Sequence, residues 1–195
     1  SGEGYGVSRT AIEALAESGT TLIVTVDTGI TANEEVLYAS SIGVDFVITD
    51  HHECTDDIPD AVAVINPKRR DTTYPFANLA GVGVAFMLVL ALCGGNIPEK
   101  IMDEILSLTA LGTVADIVPL INENRIIVRN GIEVIKRRKC KGLNALLSEA
   151  GIEPELVNST VLSFQIAPRI NAAGRMGNAS DAVLLFVVFN GALHS

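Results

Sequence analysis

Apolar residues change rhythm along this chain. Up to about position 65 they come in short runs separated by polar breaks, and beyond Pro75 they come in longer stretches with helical spacing. Ser8 to Glu17, "SRTAIEALAE", carries apolar residues at Ile12, Leu15 and Ala16 behind a serine suited to an N-cap, which predicts a helix. Thr21 to Val26, "TLIVTV", is short and β-branched and predicts a buried strand ended by Asp27-Thr28-Gly29. Thr31 to Ser40 predicts a second helix, with Thr31 as cap and Glu34 as its capping-box partner. Val44 to Ile48 and Ala61 to Ile65 predict two more strands, the latter closed by Asn66-Pro67. Strand, helix and strand at this spacing argue for a right-handed crossover and a parallel sheet.

Leu79 to Cys93, Pro98 to Leu111, Asn124 to Arg138 and Leu143 to Ala150 have helical length or periodicity. Asn158 to Ala167 and Ala179 to Phe189 predict two more helices, divided by the polar "PRINAAGRMGN". The pattern therefore gives an α/β fold with a parallel sheet in the first third and a mostly helical second half. "GIEPELVNS" lowers the apolar density between Gly151 and Ser159, which sets an expected boundary between residues 1–150 and 151–195.

Composition narrows the class. With 48% hydrophobic and 19% charged residues, the 195-residue chain can build a core and is not a disordered segment. Trp is absent, so that core is aliphatic. A formal net charge of -9 argues against a general nucleic-acid coat protein, but metal ions can reverse the field inside a local cleft. Cys54, Cys93 and Cys140 are scattered, which points to thiols in a reducing cytoplasm and not to a disulfide framework. No signal peptide is visible at the start, and the most apolar stretch, Leu79 to Cys93, is shorter than the ~20 residues of a membrane span.

The candidate chemistry lies at strand ends. Asp27 follows "TLIVTV", and Asp50-His51-His52 follow "VDFVIT". Strands that are parallel neighbours, ~4.8 Å apart, would bring both groups to one carboxyl edge, where ligands of open α/β sheets bind. Carboxylate and imidazole without thiolate suit Mn²⁺, Mg²⁺ or Zn²⁺. The alternative reading of the two histidines is a polar turn after a strand, and the match with Asp27 after the preceding strand weighs against it. Asp116, in "LGTVADIVPL", is a carboxylate in an apolar stretch and reads either as a paired or metal-bound group or as a helix cap.

Five blocks occur in order: "VTVDTGI", "VDFVITDHHE", "LAGVGVAFML", "LGTVADIVPL" and "FQIAPRINAAGRMG". Together they resemble the DHH phosphoesterase superfamily, and within it the RecJ-type single-strand-specific DNA exonucleases, from about Gly4 to about Leu185. The resemblance implies an α/β catalytic domain that binds two divalent ions, Mn²⁺ or Mg²⁺, and is joined by a long helix to a second domain gripping the DNA. Residues 1–150 would be the catalytic part and residues 151–195 the connecting helix and the start of the second domain. Asp27 would bridge the metals, His51 and Asp116 would complete one shell, and Asp50 would orient the histidines. His52 would lie beside the attacking water or the phosphate.

Arg169 and Arg175 would contact phosphate with Asn171 supporting their loop, or else be surface arginines capping helices. Gly81 and Gly83 read as close-packing positions, and the basic run "KRRKCK", Lys136 to Lys141, reads as a helix C-terminus. The implied reaction is hydrolysis of single-stranded DNA from its 5′ end, in DNA repair or recombination in the cytoplasm, alongside other repair proteins and away from membranes. A phosphoesterase acting on small nucleotides or oligoribonucleotides, or a non-catalytic scaffold relative, are the alternatives. The family's Asp-x-Asp motif occurs nowhere in the sequence. The chain is therefore expected to be the middle of a longer enzyme, truncated at its N-terminus and inactive, or nearly so, alone.

Overall fold

The computed structural model describes residues 6–176 and 183–186. The chain divides into two compact units, 1–88 and 89–195.

The first unit holds α1 (Arg9–Glu17), β1 (Leu22–Val26), α2 (Asn33–Ser41), β2 (Asp45–Thr49), β3 (Ala63–Ile65) and the start of α3 (Gly81–Leu92). Ser8 caps α1 as predicted, its side chain accepting from the Ala11 N–H at 3.3 Å. The three strands are parallel in the order β1-β2-β3, with Thr25 opposite Ile48 and Ile48 opposite Val64. Because side chains alternate along a strand, Ile23, Phe46, Ile48 and Val64 share one sheet face. Ile12 of α1 and Val36 and Ala39 of α2 close over it as a core.

The expectation that β1 is a buried strand is corrected. Leu22, Val24 and Val26, on the other face, are about half exposed. Among the described residues β1 is an edge strand, with helices packed on only one of its faces. The start of α2 is corrected too: it begins at Asn33 behind Ala32 with no side-chain cap, and Thr31 lies outside it. The turn ahead of α2 has another task, since the Ile30 N–H is donated to Asp50. Glu34 and Glu35 still favour the helix through its positive end.

The second unit contains α4 (Glu99–Ala115), α5 (Asn122–Lys136) and α6 (Lys141–Glu149). A 3₁₀ turn at Pro154–Leu156 leads into α7 (Ser159–Val161), a π-turn at Leu162–Ile166 and α8 (Ala167–Met176). Its core joins Leu111, Val114, Ile135, Leu143, Leu147, Leu162 and Ile166. "APRINAAGRM" is therefore helical and does not divide two helices as a loop. Pro168 lacks an N–H and would press its ring on the carbonyl four residues back, and the widened π-turn falls where that strain would arise. The expected helix Ala179 to Phe189 lies largely outside the described residues. No helix among those described is long and apolar enough to cross a membrane.

α4 and α5 approach closely at Gly131, where a Cβ would lie 2.3 Å from Ala110 Cβ and 2.7 Å from the Leu106 carbonyl oxygen. At an open helix site glycine to alanine gains about 1 kcal/mol. Overpacking of a tight contact costs about 1–3 kcal/mol and decides the sign here. Gly131→Ala is expected to lower the melting temperature, and Ala110→Gly in the same chain to recover part of the loss. A rise in melting temperature for the single variant would show that this contact is loose.

Candidate metal centre

β1 and β2 end side by side, and their ladder continues past the last strand residue. The Asp27 N–H donates to the Thr49 carbonyl at 2.9 Å, and the Asp50 N–H to the Ile65 carbonyl at 3.0 Å. Thr49 Oγ1, buried, donates to the Thr25 carbonyl at 2.7 Å and ties the two strand ends together. Asp27 itself has φ +63, a left-handed conformation that non-glycine residues seldom adopt and that clusters at functional sites.

Asp50 organises the corner. Its side chain is 1% exposed. Oδ2 accepts the Ile30 N–H at 2.9 Å. Oδ1 accepts the His51 N–H at 2.7 Å, the His52 N–H at 3.2 Å and His52 Nδ1 at 2.7 Å. Burial pushes this carboxyl up, but the Ile30 N–H, the His52 ring and the backbone N–H groups of His52 and His51 outweigh it. The net direction is down, below the ordinary carboxylate value. An ionised carboxylate only accepts, so His52 carries its proton on Nδ1.

His51 is oriented by a different partner. Its Nδ1 lies 3.1 Å from the Leu79 carbonyl, which can only accept, so Nδ1 bears a proton and the ring is held with Nε2 toward Asp27. Nε2 stands 3.2 Å from Asp27 Oδ1. The two atoms are close enough for one cation to meet both. The His51 and His52 rings meet edge to face with centroids 4.7 Å apart. Asp27, His51 and His52 each offer a ligand atom, all within 4.8 Å of one another. One carboxylate and two imidazoles whose tautomers are set by outer hydrogen bonds fit a divalent cation.

The structure thus brings Asp27, Asp50, His51 and His52 together. Asp116, Arg169, Asn171 and Arg175 belong to the second unit and are placed within it alone. Asp116 is exposed and forms the C-cap of α4, donating its N–H to the Gly112 carbonyl at 3.0 Å. Arg169 and Asn171 are exposed on α8 and, two residues apart, point about 200° from one another around the helix. The Arg169 guanidinium donates to the Gln165 carbonyl. The side chain of Arg175 lies outside the described residues.

Three contributors were not singled out from the sequence: the Ile30 N–H, the Leu79 carbonyl and the Asn66 amide. Backbone groups leave no residue-type signature. Asn66, 3% exposed, holds the His52 carbonyl at 3.0 Å and accepts the Lys68 N–H at 2.8 Å, so "NPK" was the readable signal.

Residues 5–113 match the model of the DHH family, N-terminal domain. The chain is 45% identical over 185 residues to the single-stranded-DNA-specific exonuclease RecJ of Bacillus subtilis (strain 168), covering 95% of this chain and 23% of that protein. It is 42% identical over 199 residues to that of Escherichia coli (strain K12), covering 96% and 34%. The crystal structure of exonuclease RecJ bound to manganese superposes with a TM-score of 0.80 at 35% identity, over 97% of this chain and 47% of that one. RecJ in complex with Mn²⁺ from Thermus thermophilus gives 0.77 at 32% identity, over 92% and 26%. The chain spans about a quarter to a third of the length of these curated relatives.

Asp50→Asn places an amide donor against N–H groups that need an acceptor. A lost charge-assisted bond in a buried site costs about 1.5–3 kcal/mol. Urea unfolding in EDTA is expected to show a loss of about that size, while Asp27→Asn, whose side chain is 57% exposed, changes little. Equal stability of Asp50→Asn and wild type would remove Asp50 from its organising role.

Proposed function

Because the chain belongs to the DHH family, we propose that the protein it represents is a metal-dependent phosphodiesterase that digests single-stranded DNA from the 5′ end. The observation carrying this reading is the Asp27, His51 and His52 cluster at the carboxyl edge of a parallel sheet. Names of relatives and of solved structures support the substrate and the cation: they are single-stranded-DNA-specific exonucleases, and two of the structures hold manganese.

In this proposal Asp27 and His51 hold the divalent cation, Mn²⁺ or Mg²⁺, with two ions in the complete site. Such ions supply Lewis acidity and a water with a lowered pKa when bound. His51 presents Nε2 because the Leu79 carbonyl occupies Nδ1. Asp50 fixes the His52 ring through Nδ1, which leaves His52 Nε2 to meet the water or a phosphate oxygen. Arg169, Asn171 and Arg175 are the proposed phosphate contacts on α8; the angle between positions 169 and 171 means they would meet different phosphates. The work is assigned to DNA repair or recombination in the cytoplasm.

The test has two arms. Mn²⁺ calorimetry is expected to show binding that Asp27→Asn removes. In the full-length protein, Asp27→Asn and His51→Ala are expected to abolish release of nucleotides from 5′-labelled single strands, with circular dichroism unchanged. Faster turnover of dinucleotides than of long strands would favour the small-nucleotide alternative. Near-normal cleavage by either variant would sink the ligand assignment.

A further inference from the structure

α3 begins at Gly81, and its first residue lies against Asp27. A Cβ built on Gly81 would fall 2.0 Å from Asp27 Oδ1, 2.5 Å from its Cγ and 2.8 Å from its Cβ. Gly81 has no left-handed backbone, so space and not conformation is what this position requires. The collision cannot be relieved by turning the Asp27 side chain alone, because its Cβ is among the atoms struck. That Cβ is set by the backbone, which is held at φ +63 and bonded through its N–H to Thr49.

The same corner already serves the other ligand candidate. Leu79, two residues earlier, gives the carbonyl that holds His51 Nδ1. Gly83 makes a useful contrast: its Cβ would come no closer than 3.2 Å, to a Leu79 methyl that can move. Ordinary helix–sheet packing would set Gly81 against an apolar side chain. Here it makes room for a carboxylate of the metal cluster.

We infer that Gly81 is a positioning residue for Asp27: its missing side chain is the space that the carboxylate occupies when it faces His51. The inference rests on the metal reading above and adds a residue that touches neither cation nor substrate. Any side chain at position 81 must displace Asp27 from the cluster or push α3 away, taking the Leu79 carbonyl off His51.

The experiment is Mn²⁺ calorimetry on the full-length protein, using the metal alone, with melting temperatures measured in EDTA. Gly81→Ala is expected to weaken Mn²⁺ binding roughly 10- to 100-fold, the range for losing a residue that orients a ligand. Gly83→Ala is expected to bind as wild type does. Should Gly81→Ala melt early without metal, the same change in an Asp27→Gly background decides the matter. The penalty should then largely disappear, because the struck atoms are gone.

A penalty that persists undiminished beside Asp27→Gly would place the collision elsewhere and overturn the inference. Wild-type binding of Mn²⁺ matched by Gly81→Ala would overturn it while leaving the metal reading intact. No Mn²⁺ binding by wild type would overturn the metal reading and this inference with it.

Discussion

The first unit turns on one buried carboxylate. Asp50 sits at the end of β2 and reaches both ways, to Ile30 in the turn after β1 and to the two histidines that follow it. An ionised carboxylate removed from water is tolerable only with several donors around it, and four hydrogen bonds meet that need. Each donor satisfied is also a segment fixed. The β1–α2 turn cannot drift without uncovering Oδ2, and the His52 ring cannot rotate without taking one of three donors from Oδ1. The turn that precedes α2 is thereby committed to Asp50 through the Ile30 N–H, and α2 begins after it, at Asn33.

The two neighbouring histidines are consequently not equivalent. His51 is half of a buried contact with a carbonyl, and its Nε2 turns toward Asp27. His52 is more exposed and leans on a carboxylate. A sequence reading sees one triplet, "DHH", and assigns Asp50 to orient both rings. In the fold Asp50 orients the ring of His52 and the backbone of both, while the ring of His51 depends on a main chain 28 residues away.

The strands, their parallel pairing and the meeting of Asp27 with His51 were legible because they follow from short β-branched runs and strand-end chemistry. The exposed face of β1 was not legible, since "TLIVTV" reports propensity and says nothing of which face a helix covers. "APRINAAGRM" misled for a related reason. Proline and glycine usually punctuate, but a π-turn ahead of Pro168 absorbs the misfit and the helix runs on. Gly81 was read as a packing position, and only coordinates could say that its neighbour is a carboxylate.

Charge fits this picture at two scales. The basic run after α5 is largely committed: Lys136 pairs with Glu133, Arg137 with Asp103, and Arg138 with Glu153 and Glu155. Such exposed pairs contribute about 0–1 kcal/mol each. A strained Asp27 costs on the order of 1–3 kcal/mol in backbone energy, and the Thr49 carbonyl and the turn through Gly29 hold it there. That cost makes sense where a carboxylate must stand ready beside an imidazole before any cation arrives, since a preorganised pair loses less on binding than one that must be gathered.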